Sequence, residues 1–283
     1  LFINFLFAYK YFPRYFSYSG WLLLAYLVFF IVASWGIVKT AKIYLPYRSF
    51  WLISFTLFML IYFFLLALVP VTDLRVDRWS VITSFWQALL HHQFPYQATS
   101  IMGNHPGPFP VYFILTFPFY LLGEIGWISI LSLIGFSWLL LRGKKPTWAD
   151  WLIIVLLITS PCFFWEVIVR STIFFNSVLF LAYVYWFQQL DINQTKNLGW
   201  AAILGGLLLS TRGIIGMGLL LLFIQQVKSW PQIIKLGLLT LGVWLLTLLP
   251  FFLWDYQLFL RYNPLTTQTI FFPFWVLILI GLG

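Results

Sequence analysis

Apolar runs bounded by charge or by Pro and Gly divide this chain, near residues 20–38, 50–69, 109–123, 125–141, 150–163, 173–188, 198–210, 213–227, 233–254 and 270–283. This pattern constrains the fold more than any other feature. A backbone inside hydrocarbon must satisfy its own N–H and C=O groups, so a spanning segment is a helix or part of a closed barrel. Runs of this length without two-residue alternation predict helices. The mean hydropathy of +0.95 agrees, as does a composition that is 62% hydrophobic and only 8% charged. The expected fold class is therefore an all-α polytopic membrane protein of about nine or ten helices. Residues 1–283 read as a single transmembrane domain. Because the sequence opens on Leu1 rather than Met and stops inside an apolar run, it also reads as a truncated fragment.

The charges orient the chain. Lys39, Lys42 and Arg48, then Arg142, Lys144 and Lys145, then Lys196, then Lys228 and Lys235 fall in four loops, which the positive-inside rule assigns to the cytoplasm. The run at 50–69 then delivers residues 70–124 to the outer face. An odd number of crossings must separate this loop from Arg142. Two apolar runs lie between, and the conflict resolves if 109–123 lies along the outer interface and only 125–141 crosses. Glu124 then sits at the outer rim instead of in hydrocarbon, where a lone carboxylate is costly. A hairpin in which both runs cross is the rival. In the favoured arrangement Arg75, Arg78, Arg170, Arg212 and Arg261 all lie outside. Arginine offers a planar fork for bidentate phosphate contact; lysine is a point charge suited to anionic lipid. Interfacial anchoring explains any one of these arginines equally well.

The outer loop carries the densest polar chemistry. Thr72 and Asp73 are expected N-caps of an amphipathic interfacial helix. Asp73, Asp77, Ser80, Ser84, Gln87 and His91 would form its polar face, and Val76, Trp79, Thr83, Trp86 and Leu90 its apolar stripe. Two carboxylates one turn apart suit general-base work or metal binding. His91, His92 and His105 are the only histidines, but with Asp77 their spacing matches no metal motif, so a divalent metal is possible and no cofactor is assigned. The segment from 91 to 110 reads as a lid. Phe94, Tyr96, Phe109 and Tyr112 would rest on the interface while Asn104 and His105 face a ligand.

Further along, Glu166 and Arg170 have the spacing of a helical ion pair, followed by Ser171, Thr172 and Asn176. Arg212 reads as a hairpin tip, and 255–269 as a short outer loop with Asp255 and Arg261. Cys162 is the only cysteine, which excludes an internal disulfide and a cysteine-cluster metal site. The net charge of +9 has no soluble basic domain to carry nucleic-acid binding, so none is expected. Neither a P-loop, a nucleotide fingerprint nor a nucleophile elbow is present.

Asp77-Arg78-Trp79 after an early apolar run, then ALLHHQFPY at 88–96 and HPGP at 105–108, resembles the GT-C glycosyltransferases. The likeness is strongest over residues 50–180. It implies a multi-pass protein of the bacterial plasma membrane that moves a sugar from a polyprenyl-phosphate carrier to a lipid, glycan or protein acceptor at the outer face. Asp77 is the base by this resemblance. Asp73, Arg78, His105, Glu166, Arg170, Asn176, Arg212 and Arg261 are the expected substrate-binding residues, with the arginines on the phosphate. The sequence departs from the family where an Asp often opens the later helix, since Ser171 to Asn176 offers none. The alternatives are a transporter or flippase of a phosphate-bearing lipid or glycan, and a non-catalytic assembly subunit. Transport predicts ionisable groups near mid-membrane rather than at one rim.

Overall fold

A computed structural model describes residues 47–269 apart from Arg75 and residues 143–146, with a scatter of positions between Tyr9 and Trp35. The apolar run at 270–283, Lys39, Lys42, Lys144, Lys145, Arg75 and most of the run at 20–38 lie outside the described residues. All regular structure among the described residues is helical. In chain order the helices are α1 (Tyr47–Leu68), α2 (Arg78–Leu90), α3 (Pro110–Leu121), α4 (Trp127–Leu141), α5 (Trp148–Ile158), α6 (Pro161–Ile168), α7 (Ile173–Phe187), α8 (Thr195–Leu209), α9 (Ile215–Gln226), α10 (Trp230–Trp254), α11 (Tyr256–Tyr262) and α12 (Pro264–Thr269). Two apolar stretches hold more helices than expected. The run at 150–163 is broken because Ser160 is extended before Pro161, which lacks an N–H and opens α6. The stretch at 255–269, expected as a loop, is the helix pair α11 and α12. Among the described residues one helix, α10, is long and apolar enough to cross a membrane.

The contacts group the chain into two units, Leu1–Asp73 with Ser129–Ser171, and Leu74–Ile128 with Thr172–Gly283. In the first, α1 packs against α5 and α6. The Tyr62 hydroxyl donates to the Ile158 carbonyl, and its ring meets Phe163 and Phe164 edge-on. A capping box between Thr147 and Asp150 starts α5. Arg170, 1% exposed, has φ 53° and therefore lies off the helix that ends at Ile168. Its guanidinium donates to the carbonyls of Leu66, Val69 and Ile168 at 2.9, 2.9 and 2.7 Å. Glu166 and Arg170 therefore do not sit one turn apart on a single helix, as the spacing had suggested. The cation instead satisfies orphan carbonyls at the end of α1, where the helix dipole favours positive charge.

The second unit is built on α8 and α10. Ala202, Gly206 and Ser210 recur every fourth residue on α8 and are buried, which lets the two backbones approach closely. A Cβ on Gly206 would lie 2.7 Å from the Thr240 carbonyl oxygen and 2.6 Å from Val243. Tyr183 of α7 donates to the Ala201 carbonyl at 2.9 Å. A second core holds α2 and α3 together, with Phe85 stacked on Phe113 at 3.6 Å between ring centroids.

That core corrects two expectations. Val71–Asp73 is a 3-10 turn, and α2 begins only at Arg78, so Asp73 and Asp77 do not share a helical face. The buried face of α2 is Ile82, Phe85 and Trp86, with Leu89 against it, whereas Leu90 is exposed. Packing on α3 decided the helix, which short segments need more than a cap residue. The lid aromatics are likewise interior rather than interfacial: Phe94, Tyr96, Phe109 and Tyr112 are all buried. Burial holds the Tyr96 phenol well above its ordinary pKa.

Candidate functional site: a cationic cavity around Asp77

The N-terminus of α3 organises the site. Its first backbone N–H groups have no partner within the helix. The turn after α8 supplies them: Tyr112 N–H donates to the Ser210 carbonyl at 3.3 Å, Phe109 N–H to Thr211 at 3.5 Å, and Val111 N–H to Ser210 Oγ at 3.4 Å. Ser210 is tied in turn to Thr247 of α10 at 2.7 Å. These bonds bring Arg212, two residues past Ser210, over the Tyr112 ring with its guanidinium carbon 5.3 Å from the centroid. Tyr112 is held by Thr172, whose hydroxyl donates to the phenol oxygen at 2.8 Å.

Asp77 enters from the start of α2. It occupies the N-cap position, yet its side chain makes no capping bond. Oδ2 instead accepts from Asn104 Nδ2 at 2.6 Å and from Ser100 Oγ at 3.3 Å. The Ser100–Asn104 turn that presents these donors is closed by Ser100 N–H to the Asn104 carbonyl at 2.9 Å, and by Asn104 N–H to Ser100 Oγ at 3.1 Å. Gly103 within it has φ 77°, a left-handed conformation that glycine adopts without steric cost. Oδ1 accepts no hydrogen bond from a described residue. His105 follows the turn. Its Nδ1 donates to the Ala98 carbonyl at 3.1 Å, which leaves Nε2 of the neutral ring as an acceptor, and its ring lies 4.7 Å from that of Tyr262.

Asp77, Arg78, Asn104, His105, Tyr112, Arg212 and Arg261 line one cavity of about 730 Å3, completed by Tyr262, Thr266 and Thr267. The volume falls in the range of small-molecule sites, about 300–1,000 Å3. Three guanidiniums and one carboxylate line it, so Arg and Asp side chains together leave an excess of two positive charges. Arg212 and Arg261 make cation–π contacts to Tyr112 and Tyr262 but no ion pair with a described residue. The Arg212 Nε is buried with no hydrogen-bond acceptor among the described residues. Such donors suit an anion with several oxygens, which a guanidinium binds bidentately.

Of the sequence-expected site residues, Asp77, Arg78, His105, Arg212 and Arg261 therefore share one cavity. Asp73 is exposed on the 3-10 turn of the first unit, to which Glu166 and Arg170 also belong. Arg170 is committed to backbone carbonyls there. Asn176 is buried, its Nδ2 donating to the Thr172 carbonyl at 3.0 Å, and it is not a lining residue. Sequence reasoning missed Ser100; it placed Asn104 toward a ligand, and Asn104 does line the cavity, but its bond to Asp77 was not foreseen. The left-handed Gly103 between them was the available signal. His91 and His92 close α2. Gln93 N–H reaches the Ala88 carbonyl and His92 N–H the Leu89 carbonyl, a Schellman pattern with His92 at φ 57°. Among the described residues no three His, Cys, Asp or Glu side chains group as a metal site.

The same unit holds a hollow of about 350 Å3, lined almost wholly by apolar side chains that include Leu115, Leu179, Trp186, Leu204 and Leu208. Val111 and Thr211 belong to its wall, and their chain neighbours Tyr112 and Arg212 belong to the wall of the charged cavity. Comparison of the chain with protein-family profiles, curated proteins and solved structures gives no match.

Proposed function

We propose that this chain is a multi-pass membrane glycosyltransferase of GT-C type that transfers a sugar from a polyprenyl-phosphate carrier to an acceptor hydroxyl. The observation that carries the reading is the cavity lined by one carboxylate, Asp77, and three guanidiniums, in which Asp77 Oδ1 accepts no hydrogen bond from a described residue. Arg212 and Arg261 hold the carrier phosphate and stabilise the charge that grows on it as the glycosidic oxygen departs. Asp77 Oδ1 takes the proton of the acceptor hydroxyl, while Asn104 and Ser100 keep the carboxylate oriented. Stabilisation of the departing phosphate is the larger contribution, because fixed donors there need no reorganisation as the bond breaks. The apolar hollow whose wall includes Thr211, the residue before Arg212, supports the same reading, since a prenyl chain needs an apolar surface to lie on. The exposed leucines of α10, among them Leu238, Leu245, Leu246 and Leu253, support a lipid-facing surface. In this reading the protein lies in the bacterial plasma membrane with the cavity on its outer face.

The test uses the full chain in lipid nanodiscs with a radiolabelled polyprenyl-phosphate sugar. Asp77→Asn is expected to lower transfer on the order of 10²-fold or more while the donor still binds. Transfer by Asp77→Asn at the unaltered rate would remove Asp77 as the base. Movement of the labelled lipid across a liposome membrane, without transfer, would replace the enzyme by a flippase.

A further inference from the structure

A second cleft, of about 680 Å3, lies between the C-terminal half of α2 and the 3-10 turn that follows it. It is lined by Ser84, Gln87, His91, Gln93, Gln97 and Thr99, with Phe94 and two alanines. Its chemistry differs from that of the first cavity: among the described residues no Asp, Glu, Lys or Arg lines it. The side-chain amides of Gln87, Gln93 and Gln97 make no hydrogen bond to a described residue. His91 Nδ1 donates to the Gln87 carbonyl at 2.7 Å, so Nε2 of the neutral ring is left as an acceptor. Each carboxamide both donates and accepts. A phosphate calls for Lys or Arg, a metal cation for carboxylates, and a lipid chain for walls that are apolar throughout; the described lining offers none of these. The groups that remain match a ligand rich in uncharged hydroxyls, each of which is also donor and acceptor.

The wall that carries these amides is held in place. The Schellman closure of α2 sets the backbone of His91 to Gln93, with Gln93 N–H donating to Ala88 at 2.8 Å. Gln97 ends a 3-10 turn whose other members, Pro95 and Tyr96, are buried, with Tyr96 wedged edge-on between Phe85, Phe113 and Phe251. Ala98 is shared. It lines the amide cleft, and its carbonyl accepts from His105, which lines the charged cavity.

We infer that this amide-lined cleft is a binding site for an uncharged saccharide. The proposed function enters only in calling that saccharide the acceptor. Binding itself needs no carrier, so it is tested without one. The full chain in nanodiscs is applied to an array of neutral oligosaccharides of glucose, mannose, galactose and N-acetylglucosamine, two to six units long, printed beside their sulfated counterparts. Retention of neutral members is expected, with at least a tenfold loss in Gln93→Ala/Gln97→Ala; both side chains are exposed, so an unchanged circular dichroism spectrum serves as the folding control. Asp77→Asn should retain the same members, which separates failure of this site from failure of the transfer reading. The inference is overturned if no neutral member is held, if the sulfated members are held more tightly, or if the double substitution leaves retention unaltered.

Discussion

Arg170 and Arg212 look alike in sequence, each following an apolar run and each near small polar residues, and their surroundings separate them. The Arg170 guanidinium has three backbone carbonyls at 2.7–2.9 Å and is 1% exposed. Arg212 stands over Tyr112, and its Nε has no acceptor among the described residues. Only the second is placed to bind a ligand. Arg212→Lys keeps the charge and loses the planar fork, so carrier affinity should fall on the order of tenfold with expression unchanged. Equilibrium binding of a polyprenyl phosphate to the two proteins measures this; equal affinities would make Arg212 an interfacial anchor. The Asp77 carboxylate teaches the same lesson. Its partners lie 23 and 27 residues away, at Ser100 and Asn104. Sequence could mark Asp77 as acidic and the turn as irregular, but not which residue of the turn would reach back.

Among the elements, α8 shows how a spacing becomes an energy. Ala202 and Gly206 on α8, and Ser210 at its C-cap, repeat small residues at a four-residue spacing that packs against α10. Gly206 faces Thr240 and Val243 so closely that a methyl group would meet a backbone oxygen at 2.7 Å. Gly206→Ala must push α8 from α10 and should cost about 1–3 kcal/mol. Gly199, on the same helix, has open space for at least 4 Å around the place a methyl group would take, so Gly199→Ala should be neutral or gain up to about 1 kcal/mol from helix propensity. Thermal unfolding of both in one detergent checks the contrast, and a Gly206→Ala protein as stable as Gly199→Ala would show that the helices are not in close contact. The start of α2 went the other way. Thr72 and Asp73 had the right chemistry for caps, but the helix forms only where Ile82, Phe85 and Trp86 can meet α3.

Across the whole molecule, the distribution of charge carries the topology. In the second unit Lys196 lies in the first turn of α8, Lys235 in the second turn of α10 and Lys228 just after α9, whereas Arg212 follows α8 and Arg261 follows α10. The fifteen residues of α8 separate the two groups by about 22 Å. Single cysteines at Asn104 and Lys196, in a Cys162→Ser background, are therefore expected to react with an impermeant thiol reagent from opposite sides of the membrane. Reaction from one side would favour the rival hairpin at 109–141. α3, with 12 residues and about 18 Å of length, is too short to cross the roughly 30 Å hydrocarbon core by itself. What the sequence determined by itself was helix, apolarity and the sign of charge along the chain, because these follow from composition and spacing within one segment. It also marked the residues that carry polar chemistry. Only the tertiary structure decided which of them meet: the open N–H groups of α3 had to find Ser210 and Thr211 before Arg212 could face Asp77's cavity, and Arg170 was taken by the end of α1. Those choices depend on hydrogen bonds between residues tens to a hundred positions apart, and no local pattern encodes them.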